Sequence, residues 1–255
     1  YCAMRIATWN VNSLKVRLPH LLEWLQDNPV DAICLQETKS EDKNFPLTEL
    51  EAAGYHAVFS GQKTYNGVAI LSREAVSDVQ CGIPNFDDQQ KRVIAATLNG
   101  VRIVCVYIPN GQEVGSDKYE YKLKWLKALN AWLKDELAQH PKLALLGDYN
   151  IAPEDRDVYD PVAWKDHVLC SEAERNAFRA LLALGLRDAF REHEAGEKFY
   201  SWWDYRMMAF RRNMGLRIDH ILVSAALQCG ACFIDKAPRK LERPSDHTPV
   251  VADIA

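Results

Sequence analysis

Short apolar segments rich in β-branched residues recur along this 255-residue chain, and longer segments with a helical pattern lie between them. Such segments are typical of strands that are buried on both faces of a sheet. They lie at residues 5–9, 31–35, 68–71, 93–98, 101–108, 143–146, 217–223 and 249–254. Asn99-Gly100 joins two of them and predicts a tight hairpin, so at least part of the sheet is antiparallel or mixed.

The intervening segments predict helices. Leucines recur at helical spacing within residues 18–26 and 118–139. Ser171 followed by Glu174 has the pattern of a capping box for a third helix, which Gly185 would end. Alternation of strands and helices predicts an α/β protein with layered sheets and helices outside. Since no repeat or long linker interrupts the sequence, we expect one domain over residues 4–255, with residues 1–3 a remnant added ahead of the natural chain.

Composition narrows the classes of protein that this chain could be. With 48% hydrophobic residues and a net charge of -4, it is expected to form an ordinary core and is not a strongly basic binder of the histone kind. No apolar segment reaches membrane-spanning length, and the odd count of seven cysteines fits a reducing compartment. We therefore expect a cytoplasmic protein that does not associate with membranes. Because no exposed apolar seam is evident, we expect a monomer.

Polar side chains follow the predicted strands at the points where the strands end. Carboxylates and carboxamides are poor strand formers and are costly to bury without partners. Their recurrence at six such places predicts that they meet at one rim of the sheet. The residues concerned are Asn10, Asn12, Gln36, Glu37, Tyr107, Asn110, Asp148, Asn150, Asp219, Asp246 and His247.

A rim of this composition favours Mg²⁺ or Mn²⁺, because oxygen ligands dominate and only one histidine is prominent. A divalent cation beside aspartate and histidine suits hydrolysis of phosphate esters, since the ion stabilises charge while a neighbouring base deprotonates water. Each of these residues, taken alone, is equally well explained as a residue that favours turns rather than as a catalytic one. The combination of GDYN, RIDH and SDH in one chain favours the catalytic interpretation.

Six short motifs stand in order along the chain. They are Trp9-Asn10-Val11-Asn12, Leu35-Gln36-Glu37-Thr38-Lys39, Val106-Tyr107-Ile108-Pro109-Asn110, Gly147-Asp148-Tyr149-Asn150, Gly215-Leu216-Arg217-Ile218-Asp219-His220 and Pro244-Ser245-Asp246-His247. In this set the chain resembles the exonuclease III family of abasic-site (AP) endonucleases, within the DNase I-like metal-dependent phosphohydrolases. The resemblance implies a four-layered α/β-sandwich, in which two mixed β-sheets pack face to face and are flanked by helices.

The resemblance also implies roles for the matching residues. Glu37 would be the principal Mg²⁺ ligand, and Asp148 would orient or deprotonate the attacking water. The implied metal-binding set is Asn10, Asn12, Glu37, Asp148, Asn150, Asp246 and His247. The implied catalytic set is Tyr107, Asp148, Asn150, Asp219 and His247, in which Asp219 polarises His247 beside the scissile phosphate. The reaction implied is in-line attack of water on a phosphodiester, leaving a 3′-hydroxyl.

The implied substrate is double-stranded DNA with abasic sites, nicks or blocked 3′ ends, met at the bacterial nucleoid. The aromatic segment 199–205 resembles the DNA-facing loop of the family. Trp202, Leu216 and Ile218 would line the pocket for an extrahelical abasic sugar. Arg211, Arg212 and Arg217 are expected to hold phosphates on either side of the lesion.

One residue departs from the pattern of many bacterial relatives, which carry a small residue, often Gly, at the position of His167. A ring there would narrow the space for a flipped abasic nucleotide and leave the phosphate site intact. This favours 3′-end trimming or 3′→5′ exonuclease action over internal AP-site cleavage, whereas a His167 that points away from DNA would leave a general AP endonuclease. Remoter alternatives are an inositol or lipid phosphatase of the same superfamily and a catalytically silent DNA-binding homologue.

Overall fold

Fourteen strands and six α-helices make up residues 3–255, the part of the chain that the computed structural model describes. Tyr1 and Cys2 of the predicted remnant lie outside the described residues. The strands are β1 Met4–Asn10, β2 Ala32–Gln36, β3 His56–Ser60, β4 Val68–Ser72, β5 Ser77–Cys81, β6 Val93–Leu98, β7 Val101–Tyr107, β8 Leu143–Asp148, β9 Leu186–Asp188, β10 Trp202–Trp203, β11 Gly215–Leu216, β12 Asp219–Ser224, β13 Cys229–Ile234 and β14 Val250–Ile254. The helices are α1 Leu14–Asp27, α2 Leu47–Ala52, α3 Asp117–Gln139, α4 Pro161–Trp164, α5 Glu172–Leu182 and α6 Ala189–His193.

Twelve of the strands form two six-stranded mixed sheets, and β10 and β11 form a separate antiparallel pair. The first has the order β13-β14-β1-β2-β4-β3, and the second has the order β5-β6-β7-β8-β12-β9. Each sheet contains one parallel pair, β1 with β2 and β7 with β8. The predicted hairpin at Asn99-Gly100 joins β6 and β7, which pair antiparallel from Leu98 opposite Val101.

The two sheets pack face to face through an apolar layer that includes Ile6, Ile70, Ile103 and Leu146. On the outer face of the first sheet, α1 and α2 bury Leu21 and other side chains against β1 and β2. On the outer face of the second, α3 and α5 do the same against β7 and β8. This is the predicted four-layered sandwich. Within residues 3–255, no helix has both the length and the apolar character needed to cross a membrane.

Two helix ends differ from their predictions. Helix α1 begins at Leu14 rather than at residue 18, because the Ser13 side chain caps it by accepting from the Val16 N–H. Helix α5 is capped by Ser171 as predicted, with its hydroxyl accepting from the Glu174 N–H. The Glu174 side chain, however, does not complete a capping box and bonds to the Leu169 N–H instead.

Both parallel pairs end at the same edge of the sandwich. Asn10 closes β1 beside Gln36 of β2, and Tyr107 closes β7 beside Asp148 of β8. Asp219 begins β12 directly opposite Asp148. The packing of the sheets therefore gathers residues from distant parts of the chain into one cluster, as the recurrence of polar strand ends predicts.

Candidate active site

The amide side chain of Asn10 joins the two sheets at this edge. The Nδ2 of Asn10 donates to Oε1 of Glu37 and to Oδ2 of Asp148, each at 2.9 Å. Glu37 has a φ of 51°, in the left-handed region, as it turns the chain out of β2. Backbone strain of this kind is typical of functional sites. Asn10 thus holds the two acidic side chains side by side.

The turn after β8 is also strained and hydrogen-bonded. Asn150 has a φ of 50°, and its N–H donates to Oδ1 of Asp148 at 3.0 Å. Its side-chain Nδ2 donates to the Ile108 carbonyl at 2.8 Å, which ties the turn to the end of β7. Both carboxylate oxygens of Asp148 therefore accept bonds, one from each sheet.

His247 lies between two aspartates. Its Nδ1 is 2.8 Å from Oδ2 of Asp219, and its Nε2 is 3.5 Å from Oδ2 of Asp148. Burial favours the neutral imidazole, but the charges of Asp219 and Asp148 outweigh it and raise the pKa of His247 well above its ordinary value. The ring is therefore charged at neutral pH and can donate from Nε2 to an anion.

Asp148 is a carboxylate poised to take a proton. Burial raises its pKa to about 7, against the opposing effect of His247. A base with a pKa near the working pH is effective because it is unprotonated when needed and still basic.

Tyr107 is the partly buried phenol beside these acids. Burial, followed by the charges of Glu37 and Asp148, raises the pKa of Tyr107 well above its ordinary value. The guanidinium of Arg92 lies 4.7 Å from the centre of the ring and donates to the Tyr107 carbonyl. Tyr107 is therefore a neutral hydrogen-bond donor held in place by Arg92, a residue to which the sequence gave no such role.

Asp246 connects this cluster to the neighbouring surface. Asn12 Nδ2 donates to one of its oxygens at 3.3 Å, and Trp202 Nε1 donates to the other at 3.1 Å. Lys39 Nζ donates to Asn12 Oδ1 at 2.7 Å and lies 3.6 Å from Glu37 Oε2. Lys39 belongs to one of the six motifs but was assigned no role from the sequence.

The cluster fits a divalent cation. Glu37, Asp148 and His247 each offer a ligand atom within 4.8 Å of the others. Nδ1 of His247 is bonded to Asp219, so Nε2, 3.5 Å from Oδ2 of Asp148, is the ring nitrogen that faces this cluster. The carboxylates of Glu37 and Asp148 lie close together, both bonded to Asn10 Nδ2, and they offer the oxygen ligands that a hard divalent cation prefers.

A cavity of about 360 Å³ lies next to Asp246. Trp202, predicted to line the pocket for an abasic sugar, forms part of the wall of this cavity, together with Trp164, Tyr159 and the largely exposed Met207. Leu216 and Ile218 were predicted to line it, but both are at most 2% exposed and pack in the cluster beneath Trp202 and Trp164. They support the pocket and do not face it, because their backbone lies in the buried strand β11 and its continuation.

The prediction that Arg217 contacts DNA is wrong. Its side chain is 1% exposed and donates to Asp157 Oδ1 and to Asp188 Oδ2, each at 2.7 Å. A buried guanidinium held by two carboxylates is not free to reach a phosphate. Arg211, Arg212 and His167, by contrast, are exposed, and the N–H of His167 donates to the carbonyl of Trp164, a wall of the cavity.

A cation-binding carboxylate cluster beside a charged imidazole defines a metal-dependent hydrolase of phosphate esters. The sequence profile of the Endonuclease/Exonuclease/phosphatase family matches residues 7–247, and the chain belongs to this family. The exodeoxyribonuclease III of Haemophilus influenzae is 36% identical over 98% of this chain and 99% of its own.

Solved structures agree over the whole chain. A Neisseria 3′ phosphatase bound to a product DNA hairpin has a TM-score of 0.97 at 50% identity and covers 99% of both chains. An AP endonuclease from Archaeoglobus fulgidus has a TM-score of 0.95 at 40% identity and covers 98% of both. The predicted family, the four-layered fold and the assignment as a metal-dependent nuclease are thereby confirmed.

Proposed function

We propose that this protein is a DNA-repair nuclease that works mainly at damaged 3′ ends, as a 3′-phosphodiesterase, 3′-phosphatase and 3′→5′ exonuclease, and that it cleaves internal AP sites less readily. The observation that carries the proposal is the place of His167, exposed on the loop that follows Trp164 at the cavity. The 50% identity to a protein described as a 3′ phosphatase supports it. Its substrates are double-stranded DNA with nicks, blocked 3′ ends or abasic sites.

Mg²⁺, or Mn²⁺ in its place, is the proposed cation. Glu37 and Asp148 would hold it, with Asn10, Asn12 and Asp246 around the ion or its waters. Oxygen donors of this kind suit a hard cation. When bound, the cation supplies positive charge that stabilises the phosphate oxygens as the reaction proceeds.

Asp148 and His247 divide the proton chemistry between them. Asp148 takes a proton from the attacking water, whose oxygen bonds to phosphorus as the bond from phosphorus to the 3′-oxygen breaks. His247, charged and oriented by Asp219, donates from Nε2 to a phosphate oxygen. Tyr107 donates a further hydrogen bond to the phosphate, and the leaving 3′-oxygen takes a proton from solvent water to become the 3′-hydroxyl of the product.

His167 determines which substrates enter. An extrahelical abasic sugar needs room in the cavity walled by Trp202 and Trp164. His167 does not line this cavity but is exposed on the adjoining loop, from which its imidazole would narrow the approach of a flipped nucleotide. A terminal 3′-phosphate needs only the centre formed by Asp148 and His247. The exposed Arg211 and Arg212 would hold backbone phosphates in either case.

The test is a gel assay with Mg²⁺ on two labelled duplexes, one with an internal abasic-site analogue and one with a nick that ends in a 3′-phosphate. We expect the wild-type protein to process the second faster, and His167→Gly to raise cleavage of the first by about tenfold, since the restored room is worth little more than one side-chain contact. Glu37→Ala is the inactive control. Asp166→Gly is the matched control, because Asp166 is exposed on the same loop and already has a φ of 63° that glycine accepts.

A general AP endonuclease is the second candidate, favoured by the open cavity and by the 40% identity to the Archaeoglobus fulgidus enzyme. Equal or faster cleavage of the abasic duplex, unchanged in His167→Gly, would establish it in place of the first. A soluble phosphoinositide added to the same assay tests the lipid-phosphatase alternative, for which we expect no turnover. Turnover of either DNA excludes a silent homologue.

A further inference from the structure

A buried ion pair lies directly beneath the turn of residues 148–150, called the catalytic turn below. Lys122, on α3, and Glu174, on α5, are both 0% exposed and hydrogen-bonded to each other. Residues of these two types are almost never fully buried without a reason, because each charge loses its hydration. The proposed chemistry at the phosphate uses neither residue.

Lys122 holds two backbone segments of the active-site edge. Its Nζ donates to the Asn150 carbonyl at 2.6 Å and to the Asn110 carbonyl at 3.2 Å. Asn150 in turn donates its N–H to Oδ1 of Asp148, the proposed base. A displacement of the ammonium group would therefore reach Asp148 through one residue.

Glu174, the partner of Lys122, holds the loop that contains His167 and Leu169. Its two oxygens accept from the Leu169 N–H at 3.0 Å, and one accepts from the Ser171 hydroxyl at 2.7 Å. Leu169 has a φ of 78°, a conformation that a leucine adopts only when its surroundings enforce it. Leu169 lies two residues after His167, so the same ion pair that supports Asp148 also sets the loop at the cavity.

We propose that Lys122 and Glu174 are positioning residues of this enzyme, which hold the Asp148–Asn150 turn and the His167 loop in one fixed arrangement. The inference rests on the proposed function. It accounts for the failure of Ser171 and Glu174 to form a complete capping box, because the Glu174 carboxylate is committed to Lys122 and Leu169. Replacing a buried ion pair by apolar residues is often neutral for stability, so stability alone does not explain its presence.

The experiment compares this ion pair with a second one on the same helix. Arg102 and Glu136 are joined at 2.9 Å near the far end of α3, where β7 begins, away from the catalytic edge. The variants are Lys122→Met, Glu174→Gln, the double variant Lys122→Met with Glu174→Met, and the control Glu136→Gln. For each, kcat and KM are measured on nicked DNA ending in a 3′-phosphate, together with the melting temperature and the ratio of abasic-site to 3′-end cleavage.

We expect the double variant to keep a melting temperature near that of the wild type and to lose about tenfold to a hundredfold in kcat with little change in KM, the loss typical of a catalytic group displaced by about 1 Å. Glu174→Gln should also change the cleavage ratio, because the His167 loop loses its anchor. Glu136→Gln should leave kcat and the ratio unchanged.

A folded double variant with wild-type kcat and wild-type cleavage ratio would overturn the inference. A loss of kcat in Glu136→Gln equal to that in Glu174→Gln would also overturn it, since any damage to α3 would then suffice. Wild-type protein that does not turn over 3′-phosphate DNA would instead overturn the proposed function, so the two failures are distinguishable. If a single variant does not fold, the double variant still decides.

Discussion

The catalytic centre and the cavity beside it are built in different ways. In the centre, Asn10, Asp148, Asp219 and His247 are all buried, and each forms a hydrogen bond to another polar group of the site. In the cavity wall, Met207 is 71% exposed and Trp202 is partly exposed. The centre is drawn from strand ends, whereas the cavity wall is drawn mostly from loops.

This difference indicates that the strand ends carry the chemistry and that the loops select the substrate. Side chains on strand ends, locked by hydrogen bonds to both sheets, can hold reacting groups to within fractions of an ångström. Loops tolerate substitution, so a change such as the one at His167 can alter the preferred substrate without disturbing Asp148. The three predictions that follow test whether the two regions are as separate as this comparison implies.

The largest expected effect is on the centre. Asp148→Asn should lower kcat by about 10³-fold, because it removes the proposed base. Without metal at pH 8, its melting temperature should equal or exceed that of the wild type, since the raised pKa of about 7 means that the ionised carboxylate is unfavourable in the folded state. Asp135→Asn, an exposed change on α3, is the matched control. A variant that loses activity and melting temperature together would show that Asp148 is needed for folding as well.

The next prediction concerns Arg211 and Arg217, both of which the sequence predicted to hold DNA phosphates. Arg217→Met should lower the free energy of unfolding by about 3–5 kcal/mol, because it leaves the largely buried Asp188 without its cation and Asp157 with Arg191 alone. Arg211→Met should change that free energy by less than about 0.5 kcal/mol, as is usual for an exposed residue. Urea unfolding measures both.

The same two variants are also compared in DNA binding, where Arg211→Met is expected to have an effect and Arg217→Met is the control. Arg211→Met should reduce the slope of log affinity for DNA against log salt by about 1, the value for one lost phosphate contact. Arg217→Met, if it folds, should leave that slope unchanged. The reverse pattern would place the DNA contact at Arg217 and contradict its buried state.

The smallest of the three effects concerns His220, a fully buried residue that follows Asp219 in β12. Its Nε2 is 2.8 Å from the Ile151 carbonyl, and its Nδ1 is 3.1 Å from Arg217. Burial, with help from Arg217, lowers the pKa of His220 to about 4 from its ordinary 6.5. Between these values the unfolded chain binds the proton and the folded protein does not, so stability is fully present above pH 6.5 and is lost as the pH falls toward 4.

The loss should be roughly 3 kcal/mol, from about 1.4 kcal/mol for each pH unit. It is measured as the difference between the unfolding free energies of the wild type and His220→Gln across that pH range, because other groups titrate equally in both. Parallel curves would mean that His220 keeps its proton in the folded protein.

Much of this fold was predictable because its signals are local. The apolar segments became β1, β2, β4, β6, β7, β8, β12 and β14, and the hairpin formed at Asn99-Gly100. Strands β3, β5, β9, β10, β11 and β13 were not predicted. Four of them, β3, β5, β9 and β13, are the edge strands of the two large sheets, and three of these have exposed positions, so their sequences lack a continuous apolar segment.

The residues of the site, too, were predictable only where a local sequence pattern marks them. Glu37, Asp148 and His247 were recognised by motif, and the structure brings them within 4.8 Å of one another. Trp164 and Met207 were not predicted for the cavity, and Lys122 was given no role from the sequence. No local pattern distinguishes a lysine that points to solvent from one that meets a glutamate 52 residues away.

The sequence by itself determined the family, the strand-end chemistry and the metal-dependent reaction class, because these depend on residue types at short, ordered spacings. The tertiary structure alone decided that Arg217 is internal, that Leu216 and Ile218 lie beneath the cavity, and that Lys122 and Glu174 meet under the catalytic turn. The physical reason is burial. Whether a charge is solvated or paired depends on which distant segments pack around it, and that is settled only when the two sheets close on each other.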